Sequence, residues 1–286
     1  MPQSSFDEEE LLLQLKSAFQ SYNQKFQATS NFAELSFQDD KTLFSKSYND
    51  IYYSVDGAST EKDWVFLKGN DLYSRWPLDY SNNFNYFNIM EIGFGTGLNF
   101  LLTKMLWNKS HTSMLENKTK VKLNYIGIEG HPINSDDLFK IYNSSNDHQQ
   151  YANEFHKTYQ QLLPLEMPAV SNYYFEKENI SLTLLWGKIE EISEIIFANK
   201  VDKLLTEKID SWYLDGFSPK CNLEMWSDNV FKMLQQFTKI GGTAATYSVS
   251  QIVKAQLIKS GFEIKKVPGP NKKKEILLGK KLSFMK

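Results

Sequence analysis

Of the 286 residues only one is a cysteine, Cys221, and only one is an arginine, Arg75. A single cysteine excludes an internal disulfide framework and fits a reducing, cytoplasmic setting. No apolar run reaches the length of a membrane span, and the N-terminus lacks the basic-then-apolar pattern of an export signal, so no membrane partner is expected. The four histidines, His111, His131, His148 and His156, have neither metal-ligand spacing nor partner cysteines, which argues against a metal centre. No G-x-S-x-G elbow occurs, so acyl-transfer hydrolysis has no support. Cys221 has no evident basic partner and reads as a small, partly buried thiol rather than a nucleophile. With one arginine, positive charge rests on lysine: Lys254 to Lys286 holds ten lysines against Glu263 and Glu275, within a net charge of −2. Such a region is either a solvated face or a set of point contacts to phosphates.

What is present is an ordered globular composition, 41% hydrophobic and 14% aromatic, long enough to bury a substantial α/β core. The chain is organised around Phe87–Phe100, where an apolar run ends at Glu91 and the glycines Gly93, Gly95 and Gly97 precede an apolar helix pattern. That grammar is strand, tight turn, helix, with bare backbone approaching a ligand at a helix N-terminus. A carboxylate two residues before the first glycine would repel a pyrophosphate but accept bonds from an ammonium. The spacing thus favours a ligand with a cationic end, such as S-adenosylmethionine, over a dinucleotide.

Residues 1–44 read as a peripheral helical extension, with an amphipathic helix near Glu8–Phe26. Residues 45–80 read as a small β appendage, with strands at Ile51–Val55 and Trp64–Leu67. Residues 81–286 read as the main domain. Its strands are expected at about 87–92, 122–129, 181–186, 211–214, 243–247, 262–267 and 275–279, with helices between the first five. Asn108 to Lys120 reads as an insertion loop. The β-α alternation predicts a mostly parallel, Rossmann-like sheet of seven strands whose last pair is antiparallel, because Pro268–Lys274 is too short for a crossover.

Ligands of such sheets sit beyond the carboxyl ends of the strands, at the switch in strand order. The candidates there are the Gly loop with Phe94, Glu129 as a ribose acceptor, Gly187 with Lys188, and Asp215-Gly216-Phe217. Asp215 is the sharpest, facing the transferable group of a ligand held by the first two strands. A turn-capping role for Asp215, and a core role for Phe217 and Trp226, remain the plain alternatives.

These residues together resemble the methyltransferase domain of the bacterial tRNA wobble-uridine enzymes of the MnmC type, a class I S-adenosylmethionine-dependent family. The resemblance is carried in order by Tyr48–Ser54, Val65–Asn70, Glu91–Phe100, Trp212–Pro219, Glu224–Trp226, Gly241–Tyr247, Gly261-Phe262 and Lys273–Leu277. It implies methylation of the amine of 5-aminomethyl-(2-thio)uridine in tRNA. Asp215 would handle the amine and adjoin the cofactor, which Glu91, Gly93, Phe94, Gly95, Gly97, Asn99, Glu129, Trp186 and Gly187 would hold. Tyr52, Arg75, Phe217, Lys272, Lys273 and Lys274 would face the substrate. Some members carry a second, FAD-dependent domain that prepares the amine; these residues include none, so a separate enzyme is expected to supply the substrate. Lys188 stands where related enzymes often place an acidic residue for adenine, leaving backbone groups or Trp186 to that role. Lys272–Lys274 replaces an arginine-bearing segment, keeping charge but losing bidentate geometry. A class I methyltransferase acting on another amine, or an RNA-interaction module without chemistry, are the rival expectations.

Overall fold

The structure is a computed structural model that describes residues 6–25, 32–37, 42–47, 49–54, 57–79, 86–112, 121–143, 149–270 and 275–282. Its centre is an eight-stranded sheet. The strands are β4 (Tyr86–Ile92), β5 (Lys122–Glu129), β6 (Ala169–Phe175), β7 (Ile180–Trp186), β8 (Ile209–Leu214), β9 (Thr238–Thr246), β10 (Phe262–Pro268) and β11 (Glu275–Lys281). They lie in the order β10-β11-β9-β8-β4-β5-β7-β6. Strands β7, β5, β4, β8 and β9 run parallel, and β11 lies antiparallel between β9 and β10. The chain moves outward from β4 through β5 to β7 and then returns to β8 on the other side of β4. This reversal opens the crevice between the β4 and β8 ends.

The eighth strand, β6, departs from the seven expected. It is an edge strand, antiparallel to β7, carrying Ser171 and Asn172 within a short, half-exposed run. Asn172 Nδ2 donates to Ser181 Oγ and Thr183 Oγ1, both at 2.9 Å, so a polar side chain helps to hold the edge in place. Such a run lacks the apolar signature that marks the buried strands.

Alternation along the strands feeds two cores, one on each face of the sheet. Phe87, Ile89 and Tyr125 enter the layer with helices α4 (Leu98–Thr112), α5 (Ser135–Asn143) and α6 (Gln149–Leu162). Met90, Ile92, Ile126 and Ile128 belong to the layer with α7 (Ile189–Ala198), α8 (Asp202–Leu205), α9 (Asp228–Phe237) and α10 (Gln251–Lys259). Helix α1 (Glu8–Asn23) packs on this second face through Leu11, Leu15 and Phe19; burying each such side chain stabilises by about 1.5–3 kcal/mol. Asp7 caps α1 by accepting from the Glu10 amide at 3.0 Å.

The N-terminal strands form a separate three-stranded antiparallel sheet, β1 (Leu35–Phe37), β2 (Thr42–Ser45) and β3 (Asp50–Ser54). The strand expected at Trp64–Leu67 is instead a π-helical turn, Asp63–Lys68, continuing α2 (Ala58–Lys62) and followed by α3 (Leu72–Asp79). Val65, Phe66 and Leu67 are all buried in the core over β4 and β8, and a short apolar run of this kind does not distinguish strand from helix. Asn70 and Arg75 fix this segment. Asn70 Nδ2 donates to the Phe66 carbonyl at 2.8 Å, and Arg75 Nη1 donates to Ser211 Oγ and Thr243 Oγ1, both at 2.9 Å. Helix α4 likewise runs through Thr112, past the loop start expected at Asn108. Cys221 is exposed.

Candidate active site

A cleft of about 110 Å³ opens beyond the carboxyl ends of β4, β5, β7 and β8. Its floor is the Gly loop. Register pairs Ile92 with Leu214, so Gly93 and Asp215 leave adjacent strands side by side, and the Asp215 amide donates to the Ile92 carbonyl at 3.0 Å. Gly93 has φ +84°, and a Cβ there would lie 1.8 Å from the Asp215 carbonyl oxygen. Only glycine fits that turn. At Gly216 a Cβ would meet Met225 Sδ at 1.8 Å, a flexible side chain that would have to move aside.

Asp215 lies at the centre of a charged cluster. Its Oδ2 accepts from Asn99 Nδ2 at 2.7 Å and forms an ion pair with Lys62 Nζ, whereas its Oδ1 has no hydrogen-bond partner among the described residues. Lys62 is 8% exposed and comes from the end of α2, the segment expected to be β structure. Nothing in the local sequence marks it, because only the packing of α2 and the π turn onto β8 and β9 brings it to Asp215.

Glu91 is fully buried and does not line the cleft. Its Oε1 accepts from Asn99 Nδ2 at 2.6 Å and its Oε2 from the Tyr125 hydroxyl at 2.7 Å. By period-two alternation it shares the face of Phe87 and Ile89, so it acts through Asn99, which does line the cleft. Burial, then the charge of Asp215, push its pKa up to about 8, against the opposing pull of Asn99, Tyr125 and Lys62. Glu129 closes β5. Its Oε2 accepts from the Gly95 amide and its Oε1 from the His131 amide, both at 2.7 Å. Burial raises it to about 7, and those amide donors, with that of Gly130, oppose the rise.

Phe94, Gly95 and Phe217 line the cleft together with Gly93, Asn99, Glu129 and Asp215. Several expected residues lie elsewhere. Trp186 is fully buried, its Nε1 donating to the Leu162 carbonyl at 3.0 Å and to Ser171 Oγ at 3.1 Å, which leaves no indole group for adenine. Gly187 gives its amide to the Glu129 carbonyl at 2.9 Å and is not on the cleft wall. Gly97 backs onto the Phe155 ring. Arg75 is committed to β8 and β9, stacked 4.9 Å from the Phe87 ring centroid, away from the strand ends. Tyr52 lies on β3, but its side chain is outside the described residues, as are Lys272, Lys273 and Lys274 altogether. Among the unexpected residues on the wall are the charged Lys62, Glu190 and Glu224. Glu190 lies two residues beyond Lys188, where only the turn into α7 brings a carboxylate to the cleft.

The pattern of a family described as S-adenosyl-L-methionine-dependent methyltransferase matches residues 149–282. The tRNA 5-methylaminomethyl-2-thiouridine biosynthesis bifunctional protein MnmC of Legionella pneumophila (strain Corby) is 36% identical over 249 residues, 86% of this chain and 36% of that protein. Residues 149–282 thus carry the pattern of the S-adenosylmethionine-dependent methyltransferases. The protein of the same name from Leptospira interrogans (strain Fiocruz L1-130) is also 36% identical, covering 86% of this chain and 34% of its own length. The chain thus spans about a third of the length of the curated relatives it matches. The crystal structure of MnmC2 from Aquifex aeolicus superposes with a TM-score of 0.59 at 20% identity, covering 99% of this chain and 81% of that one, which supports the fold.

The acceptors of the cleft suit the cofactor that names this family. S-adenosylmethionine carries an ammonium, an adenine amine and ribose hydroxyls, all hydrogen-bond donors. Asn99 Oδ1 and Glu190 Oε1 are buried without a hydrogen-bond partner among the described residues, and each needs a donor. The Glu129 oxygens retain lone pairs for hydroxyls. The turn at Gly93 keeps the loop free of side-chain bulk where a ligand approaches. These residues are the set that would hold S-adenosylmethionine.

Proposed function

We propose that this chain transfers a methyl group from S-adenosylmethionine to the primary amine of 5-aminomethyl-(2-thio)uridine at the wobble position of tRNA, giving the methylaminomethyl form. The observation that carries the reading is Asp215, a strand-end carboxylate with an uncommitted oxygen on the cofactor cleft, in a chain 36% identical to proteins named for that modified nucleoside. When bound, S-adenosylmethionine supplies an electrophilic methyl carried on a sulfonium. The Gly loop, Asn99, Glu129 and Glu190 hold it; the work left to the protein is positioning, worth up to about 7–11 kcal/mol of barrier for a well-aligned pair. Asp215 Oδ1 accepts an N–H of the amine and so aims the nitrogen lone pair, which exists only once the ammonium proton has left. Phe217, half-buried beside Asp215, offers a ring face for a splayed base.

This substrate makes the activity cytoplasmic and makes it depend on prior chemistry that installs the aminomethyl group. The test is incubation of the purified chain with S-adenosylmethionine and tRNA rich in the aminomethyl nucleoside, followed by nucleoside mass spectrometry. A gain of one methyl on that nucleoside is expected. No gain, with S-adenosylmethionine binding intact in calorimetry, would overturn the substrate and leave the cofactor standing.

A further inference from the structure

We infer that Lys62 is a positioning residue that makes this site select the neutral form of the substrate amine. The inference rests on the amine-methylation reading above. It starts from a difficulty with Asp215 acting alone. A carboxylate beside an alkylamine stabilises the ammonium, the one form with no lone pair to attack with. A site built only from Asp215 would bind its substrate in the unreactive state.

Lys62 offsets this. Its Nζ forms the ion pair with Asp215 Oδ2 and lies 5.6 Å from the Phe66 ring centroid and 5.8 Å from that of Tyr247. Held between those rings and the carboxylate, the cation is confined beside the place the amine must occupy. The Lys62–Asp215 pair is close to neutral as a unit, so it offers a directional acceptor, Oδ1, without the net negative charge that favours an ammonium. A neutral amine can donate one N–H to Oδ1 and keep its lone pair free. An ammonium at the same spot meets the Lys62 charge at close range.

The other charged groups around the cleft do not reverse this balance. Glu91 and Glu129 are pushed up to about 8 and about 7, so neither carries a full negative charge at neutral pH. Glu190 is raised as well, by burial and then by Glu224, and Lys188 beside it is a cation. Glu61, on α2 next to Lys62, acts on Tyr247 more weakly than Asp215 does. A unit charge at this range moves a pKa by about 1–3 units. Removing Lys62 should therefore raise the pKa of the bound amine by about that amount.

The experiment measures two pH profiles for the parent, Lys62→Met and Lys62→Arg, using full chains whose folding is checked by thermal melting. The first is the affinity of an anticodon stem-loop RNA bearing 5-aminomethyluridine for the S-adenosylhomocysteine complex, from about pH 6.5 to 9.5. The second is kcat for methyl transfer to the same RNA at saturating substrate, which reports the ionisation of the bound amine. In the parent, affinity should rise with pH relative to the same RNA without the aminomethyl group. In Lys62→Met that relative affinity should fall with pH, and the midpoint of kcat should move up by about 1–3 pH units. Lys62→Arg should keep the parent profiles. Superimposable profiles in Lys62→Met and parent would overturn the inference and leave Lys62 a structural ion pair. A parent whose relative affinity falls as pH rises would overturn it without any variant. A parent that binds and methylates only a different amine would instead displace the substrate reading, and the same two profiles on that amine would then judge Lys62.

Discussion

Strand β8 carries an aspartate–lysine pair at each end, and the two pairs differ in a way that separates structure from chemistry. At the amino end, Asp210 binds Lys239 Nζ through both oxygens, at 2.8 and 2.9 Å, and Oδ2 also accepts the Asn88 amide at 2.8 Å. Both side chains are 11% exposed, and Lys239 lies 4.9 Å from the Tyr86 ring centroid. Both carboxylate oxygens there have partners, so the pair ties β8, β9 and β4 together as a structural clamp. At the carboxyl end, Asp215 gives Oδ2 to both Lys62 and Asn99 and leaves Oδ1 open to the cleft. The same two residue types thus make a clamp when saturated and a candidate reaction centre when one oxygen is spare. Strand direction decides which: the amino ends meet other backbone, while the carboxyl ends meet loops that fold away from the sheet.

The largest expected effect breaks this contrast directly. Asp215→Asn keeps the shape but removes the charge, and should lower kcat by about 100- to 10,000-fold with S-adenosylmethionine affinity changed only a few-fold. Asp210→Asn should leave kcat at the parent value while lowering stability by about 1–3 kcal/mol in denaturant titration. Equal kcat losses in the two variants would erase the distinction.

The next prediction concerns two buried carboxyls at the carboxyl ends, Glu91 beneath the cleft and Glu129 on its wall. Glu91 and Glu129 have folded-state pKa values raised to about 8 and about 7, above the ordinary 4.5. The folded state therefore binds more protons than the unfolded chain between pH 4.5 and those values, and stability falls as pH rises through that window. Each group adds a slope of at most about 1.4 kcal/mol per pH unit. In the ligand-free protein, Glu91→Gln should flatten the curve up to about pH 8 and Glu129→Gln up to about pH 7. Melting temperatures across that range would show it, and unchanged slopes would mean that both carboxyls are ionised when folded.

Arg75 sharpens the contrast from the other side, since its guanidinium belongs wholly to the scaffold. Arg75→Met should cost about 1–2 kcal/mol of stability by removing its bonds to Ser211 and Thr243, with kcat/KM at the parent value once the protein is folded. A selective loss of RNA affinity would return Arg75 to the substrate surface. The smallest expected effect is in the lysine-rich segment 272–274. Replacing Lys272, Lys273 and Lys274 with Ala should make the salt dependence of tRNA affinity shallower, by up to about one unit of slope for each phosphate no longer neutralised. An unchanged slope would make them a solvated face.

The sequence by itself determined the order of seven of the eight strands in the main sheet, the Gly turn after β4, and the strand-end position of Glu129 and Asp215. These are local properties: apolar periodicity, a turn that admits no Cβ, a polar residue where a buried strand stops. It did not reveal that Glu91 lies beneath the cleft, because a carboxylate at a strand end reads alike whether it points to ligand or to core. Trp186 ended a strand as expected, yet alternation turned its indole into the interior. Val65-Phe66-Leu67 fitted a strand as well as a helix, so the π turn and the lysine at its start stayed hidden. Lys62 and Asp215 are 153 positions apart, and Glu190 sits just past the expected place. Only the packing of α2 onto β8, and of α7 beside β5, brought those charges to one cleft, since a contact between distant side chains leaves no period or motif in the chain.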